Sequence, residues 1–189
     1  MGMDFVCYIG HQLSKNDLIQ MSEQLNKGSF KYISAFIEDL LKYNPDDVNQ
    51  KWEANTEVLG DELCLYGPCC LKFTFSEQVC KIDHFTRWLT FILNDSETDF
   101  RGHLRNVAYE LTRYFHSTFA IYVPDSGVKE SAIMDFFWDD ENKSIDYMKE
   151  WLLTNCGEPK REIEDIFQDG GDYWESDGYF IDYFKDYTE

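Results

Sequence analysis

The sequence predicts an α+β protein: a helix-rich single domain with a small mixed or antiparallel sheet. Three observations carry this. Apolar residues recur at helical spacing through most of the chain, strand-like runs are few and separated, and the elements follow no regular βαβ alternation. The 189 residues suit one domain, and 43% apolar with 17% aromatic residues is ample for a packed core, unlike a disordered chain. Neither an internal repeat nor a Ser-, Pro- or Gly-rich linker divides the chain. Residues 1–189 are therefore read as one domain, with 162–189 an acidic and aromatic C-terminal segment docked on the body.

Asp4 to Ile9 (DFVCYI) is β-branched and apolar and reads as a first strand ending at Gly10. Ser14 with Asp17 reads as an N-cap and first-turn acid, after which Leu18, Met21 and Leu25 recur at helical spacing up to Gly28. A second helix carries Phe30, Ile33, Phe36, Ile37, Leu40 and Leu41 and closes at Asn44-Pro45. Asp46 to Gly60 is polar and irregular around Trp52, with room for a short strand. Glu62 to Tyr66 and Cys69 to Phe75 flank Gly67-Pro68 and read as a hairpin, with Cys69, Leu71, Phe73 and Phe75 on one face. Helices are expected over 83–93, with Phe85, Trp88, Leu89 and Ile92 as its stripe, and over 99–116. Phe119 to Val123 (FAIYV) is a clear strand, turned by Pro-Asp-Ser-Gly, and Ser131 to Trp138 is ambiguous. Ser144 opens a helix that stops at Cys156-Gly157, and Pro159 sits at a favoured first position for a segment containing Ile163, Ile166 and Phe167. Periodicity assigns Phe30, Ile33, Ile37, Leu40, Phe73, Phe85, Trp88, Leu89, Leu104, Leu111, Ile121 and Leu152 to the core.

Motifs for chemistry are sparse. The six cysteines, Cys7, Cys64, Cys69, Cys70, Cys80 and Cys156, have no secretory leader before them and are expected as reduced, mostly buried thiols. Cys64, Cys69 or Cys70, Cys80 and His84 have the chemistry of zinc ligands, but no Cys-x-x-Cys pair is present and neighbours on a strand point apart, so no metal is expected. The acidic runs at 139–142 and 169–177 do not fit an EF-hand loop, and Ser126 sits in ordinary turn chemistry. No nucleotide-binding or zinc-protease motif occurs, and no cofactor is expected. His103 and Glu110 are seven residues apart on one helix, hence on one face. A cleft near His84, His103 and Glu110 is the basis of the alternative reading, an enzyme or small-ligand-binding protein; the plainer reading of this stripe is surface ion pairing. No catalytic residue is assigned, and the balance leans away from an enzyme.

Charge is the strongest clue. Asp plus Glu number 36 against 17 Lys plus Arg, a formal net charge of -19. Residues 135–189 hold 17 acids and 5 bases, so the last third is the anionic pole. Such a surface repels phosphate backbones and anionic lipid, so neither nucleic acid nor membrane is expected as a partner. No apolar run approaches the ~20 residues of a transmembrane helix, and the acid in Met1-Gly2-Met3-Asp4 does not suit a signal peptide; the expectation is a cytoplasmic protein. From Phe167 to Tyr187 there are eight aromatics, and from Glu162 to Glu189 ten acids with Lys185 as the only base. Aromatic anchors among carboxylates suit a basic protein partner, with Asp169, Asp172, Trp174, Glu175, Asp177, Tyr179, Asp182 and Asp186 as the candidate contact residues. The competing reading docks the aromatics inward and shows the acids to water.

In composition the chain resembles bacterial immunity proteins and other stoichiometric inhibitors of basic toxins or nucleases: small, acidic, rich in Trp and Tyr, without a catalytic motif. The resemblance implies cytoplasmic residence and a one-to-one basic protein partner. It covers no alignable motif and assigns no residue a role.

Overall fold

Strand β1 (Asp4–Gly10) organises the architecture, because its side chains are buried on both faces. A strand of that kind requires cover on two sides. The computed structural model describes residues 4–43, 51–58, 62–94, 97–124, 133, 143–167 and 178–187. After β1 come α1 (Lys15–Asn26), α2 (Lys31–Tyr43), β2 (Glu53–Val58), β3 (Glu62–Tyr66), β4 (Lys72–Phe75) and β5 (Val79–Arg87). Then follow α3 (Trp88–Leu93), α4 (Phe100–Tyr114), β6 (Ala120–Tyr122), α5 (Ile145–Cys156) and β7 (Phe180–Asp182), with 3-10 turns at Pro68–Cys70 and Ile163–Phe167.

The strands form one seven-stranded sheet in the order β2-β3-β4-β5-β1-β6-β7. Every pairing is antiparallel. The expected small sheet is therefore wrong: this is a sheet-rich α+β fold. The shortfall came from three places. Val79–Arg87 was read partly as a helix, whereas Cys80, Ile82, His84 and Thr86 are buried and alternate with Lys81, Asp83, Phe85 and Arg87. That is period two, and the helix begins only at Trp88. Neither edge strand carries an apolar alternation: β2 falls in the polar 46–60 segment, which leaves room for it but shows Glu53, Ala54 and Asn55 exposed, and β7 lies within the C-terminal segment.

One face of the sheet packs beneath α1, α2, α3 and α4, and includes Phe5, Cys7 and Ile9 of β1. The opposite face packs Val6, Tyr8, Ile121 and Ile181 against Ile145, Met148 and Leu152 of α5. Of the residues assigned to the core, Phe85 and Leu89 are exposed and Ile37 is half-buried; the others are buried. Among the described residues, no helix is long and apolar enough to cross a membrane.

Local chemistry accounts for several boundaries. Ser14 and Asp17 form a reciprocal capping box, Ser14 N–H donating to Asp17 Oδ2 at 2.9 Å and Asp17 N–H to Ser14 Oγ at 3.3 Å. Asp99 caps α4 by accepting from the Gly102 amide at 2.9 Å. The residues after Gly67-Pro68 do not enter the strand at once. Cys69 and Cys70 take left-handed conformations with φ 56° and 61°, and Gly67 N–H donates to Leu71 C=O at 2.8 Å across the turn. Cys69 is thus part of the turn rather than of the strand face. His116 also lies in the left-handed region, at φ 57°, just beyond the α4 cap. Ser126, most of 131–138 and the acidic runs at 139–142 and 169–177 lie outside the described residues.

Trp52 fastens the β2 edge. Its ring stacks on Phe73 with centroids 4.8 Å apart, and its backbone exchanges two 2.9 Å hydrogen bonds with the Asn26 side chain at the end of α1. Gly67 closes over this ring: a Cβ there would stand 2.5 to 2.7 Å from three Trp52 ring carbons. Gly67→Ala is therefore expected to cost about 1–3 kcal/mol through overpacking. Urea denaturation followed by tryptophan fluorescence should show a lowered midpoint; an unchanged midpoint would contradict this packing.

Candidate functional site

The C-terminal segment meets the body where β7 lies beside β6 and beneath α4. Asp182, the last residue of β7, falls opposite Ala120 and faces the helical layer. It is only 3% exposed, which contradicts the expectation that it faces water. A buried carboxylate needs a partner, and α4 supplies one. Arg105 Nε donates to Asp182 Oδ2 at 2.8 Å and Nη2 to Oδ1 at 3.2 Å. The same guanidinium reaches Asp186 through Nη1 at 2.9 Å and Nη2 at 3.0 Å. Phe184 N–H donates to Asp182 Oδ1 at 2.9 Å, and Tyr122 O–H to Oδ2 at 3.4 Å.

Aromatics close around this pair. Tyr187 stacks on Tyr109 with centroids 4.3 Å apart, and its hydroxyl donates to Asn106 Oδ1 at 2.8 Å. The Arg105 guanidinium lies over the Tyr187 ring at 5.4 Å. Burial, aided by the charges of Asp182 and Asp186 and opposed by Arg105, pushes the Tyr187 hydroxyl up to about 12. The hydrogen bond from Arg105 holds the Asp186 carboxyl below its ordinary range. Tyr179 is buried, and its hydroxyl donates to Gly157 C=O at 2.7 Å.

A groove of about 550 Å³ opens beside the clamp, lined by Arg101, Arg105, Lys160, Arg161 and Lys185 together with Glu162, Glu164, Asp182 and Asp186. Arg101 is committed within the fold: it donates to the carbonyls of Phe91, at 2.9 Å, and of Ile92, and pairs with Glu164. Among the described residues, its lining includes paired acidic and basic side chains.

Of the contact residues expected from sequence, Tyr179 and Asp182 are turned inward, and Asp186 is exposed while bound to Arg105. Asp169, Asp172, Trp174, Glu175 and Asp177 lie outside the described residues. Arg105 went unrecognised. The signal for it was a base beside Leu104, at the margin of the stripe formed by Leu104, Val107, Ala108 and Leu111, in a chain with few bases to spend.

The residues of the alternative cleft are each engaged in the fold. Glu110 reaches across to α2 and accepts from the amides of Tyr32 at 2.9 Å and Ile33 at 3.0 Å. It thus caps a helix that has no first-turn acid of its own. His103 stacks on Phe36 and places Nε2 3.0 Å from Asp39 Oδ2. His84 is buried beside Phe36, and its Nδ1 accepts from Thr86 N–H at 3.1 Å. Its Nε2 lies near the Cys69 carbonyl without a well-formed hydrogen bond. His11 has Nε2 3.0 Å from the Ser76 carbonyl oxygen.

All six cysteines are free thiols. Cys64 sits opposite Thr74 on one face of the sheet and Cys80 opposite Phe75 on the other. Among the described residues, no group of three His, Cys, Asp or Glu side chains is placed to hold a metal ion. Burial, with the neighbouring charges of Cys80 and Asp182, raises the Cys7 thiol well above its ordinary value.

Comparison of the chain with protein-family models, with curated proteins and with solved structures finds no match.

Two outcomes follow from the geometry. Arg105→Met leaves the Asp182 carboxylate buried without its cation, which should cost about 3–5 kcal/mol. Hydrogen exchange should then show lost amide protection at Phe180–Asp182, and adding Asp182→Asn should restore part of it. Full protection in the single variant would refute the clamp. Separately, burial lowers His84 from 6.5 to about 4, and His11 shifts in the same direction for the same reason. As pH falls, the unfolded chain takes up protons that the folded state refuses. Stability is therefore full above pH 6.5 and is lost as pH falls through about 4, with His84 contributing roughly 3 kcal/mol. Urea titrations between these limits should show the decline, and His84→Gln should flatten it.

Proposed function

We propose that this chain is a non-enzymatic binding protein that engages a basic protein partner. Its narrower role is that of a stoichiometric inhibitor, as in bacterial immunity proteins, acting in the cytoplasm. The observation that carries the reading is the charge: a net -19 over 189 residues, of which residues 135–189 supply -12. A field of that sign and concentration accelerates encounter with a Lys- and Arg-rich surface and slows encounter with nucleic acid. The structural employment of His84, His103 and Glu110 favours this reading over a catalytic cleft.

Asp169, Asp172, Glu175 and Asp177 remain the proposed steering residues, with Trp174 as a contact beside them. The clamp supports that assignment indirectly, since it fixes β7 and so ties the end of this acidic stretch to the sheet.

The test is affinity capture on the immobilised chain at ~0.1 M and ~1 M salt, over which the Debye length falls from about 10 to about 3 Å. The expected partner is basic, binds one-to-one and is released at the higher salt. Changing those four acids to Asn or Gln should slow association several-fold and flatten its salt dependence, with an unchanged thermal midpoint. A partner that is neutral or acidic, or whose association ignores both salt and the substitutions, would overturn the proposal.

A further inference from the structure

Residues 135–189 hold 17 acids and only five bases, Lys143, Lys149, Lys160, Arg161 and Lys185. The fold gathers the last four of these about Tyr183 and the groove that it lines. Tyr183 directly follows β7 and is 44% exposed. Lys149 of α5 places Nζ 5.6 Å from the centre of its ring and 4.9 Å from that of Phe119, and Lys185 places Nζ 5.7 Å from the Tyr183 ring. Lys160, Arg161 and Lys185 line the groove of about 550 Å³. Phe180 to Asp186 form a continuous wall of it, so the groove runs along the outer edge of β7, the last strand of the sheet. The fold also fixes Lys160. Its N–H donates to Tyr179 C=O at 2.9 Å, and its stem crosses Gly178, where a Cβ would stand 2.9 Å from Cγ and 3.0 Å from Cε.

The charges left over in the groove indicate what it takes. Of the acids in the lining, Glu164 is held by Arg101, and Asp182 and Asp186 by Arg105. Three bases, Lys160, Arg161 and Lys185, then stand against one acid, Glu162, a local surplus of two positive charges in a chain of -19. Among the described residues, no carboxylate pairs with Lys149, Arg161 or Lys185. Neighbouring cations without a counter-charge repel one another, and an anion between them removes that cost. Arg161 supplies the planar fork that matches a phosphate or carboxylate, and the lysines supply point charges. The volume suits a small molecule. We propose that this groove binds a small organic dianion, a phosphate ester or a dicarboxylate. Arg161 and Lys185 are its principal contacts, Lys160 flanks them, and the exposed Tyr183 ring carries the organic part. The site is independent of the basic-partner reading above.

The probes are phenyl phosphate and succinate, each titrated into the full chain at constant ionic strength and followed by amide NMR shifts. At least one should give saturable shifts confined to Lys160–Glu164 and Gly178–Lys185, and the tighter of the two identifies the source of the dianion. Arg161→Gln and Lys185→Gln should each weaken binding about five- to tenfold. Glu162→Gln, which removes the opposing charge, should tighten it. Lys15→Gln and Glu38→Gln make the same changes in net charge at exposed positions outside the groove, and should leave binding as it was. Thermal midpoints of all five variants should match the parent chain. Absence of saturable shifts with both probes overturns the site. So does affinity that Arg161→Gln and Lys185→Gln leave unchanged, or that Glu38→Gln raises as much as Glu162→Gln, since the effect is then one of net charge alone.

Discussion

Burial of the Asp182 carboxylate is the constraint from which the functional architecture follows. A carboxylate taken out of water is strongly unfavourable unless a cation and further donors reach it. The fold answers with Arg105, a backbone amide and the Tyr122 hydroxyl. Because the same guanidinium also binds Asp186, the clamp grips the chain at β7 and again four residues later. The described end of the C-terminal segment is thereby drawn into the sheet through β7. Its described aromatics Tyr179 and Phe184 are consumed as core, and Tyr187 covers the clamp.

The sheet makes this possible. Because β1 is buried on both faces, it must be flanked by paired strands and roofed by helices on two sides. The β2 to β5 meander satisfies one flank and β6 with β7 the other. β7 is only three residues long, too short to hold an edge by backbone pairing alone. Its attachment therefore depends on the side chains it sends into the helical layer, and Asp182 is the polar one. Glu110 does comparable work at the opposite end of α4, joining it to α2 through the first amides of that helix. Arg105 and Glu110 thus tie one helix in two directions, one by neutralising a buried charge and the other by satisfying orphan donors.

Much of the fold was legible where a single physical rule governs a segment. Ser14 with Asp17, Ser144 and Gly157 marked helix ends because capping is local chemistry. The runs around β1 and β6 showed because buried strands are apolar throughout. Reading failed where two rules compete within a few residues. From Val79 to Leu93 the chain passes from strand to helix with no Gly or Pro between, so Phe85 and Leu89 are spaced as a helical pair although Phe85 belongs to a strand. The clamp was illegible for another reason. Its partners are 77 positions apart, and nothing in the sequence around Asp182 distinguishes it from Asp186, which is exposed.

Phe85 and Leu89, assigned to the core by their spacing, stand exposed in the fold, and individually exposed apolar side chains are common. Acidity alone would give a protein that meets basic partners quickly and releases them as quickly, since exposed charge pairs contribute little and are screened by salt. Residence requires desolvated apolar contact, which is where hot-spot energy resides. The chain's charge is densest in the last third, where the described aromatics are mostly spent on packing, so a basic partner attracted there would need its desolvated apolar contact from elsewhere on the surface.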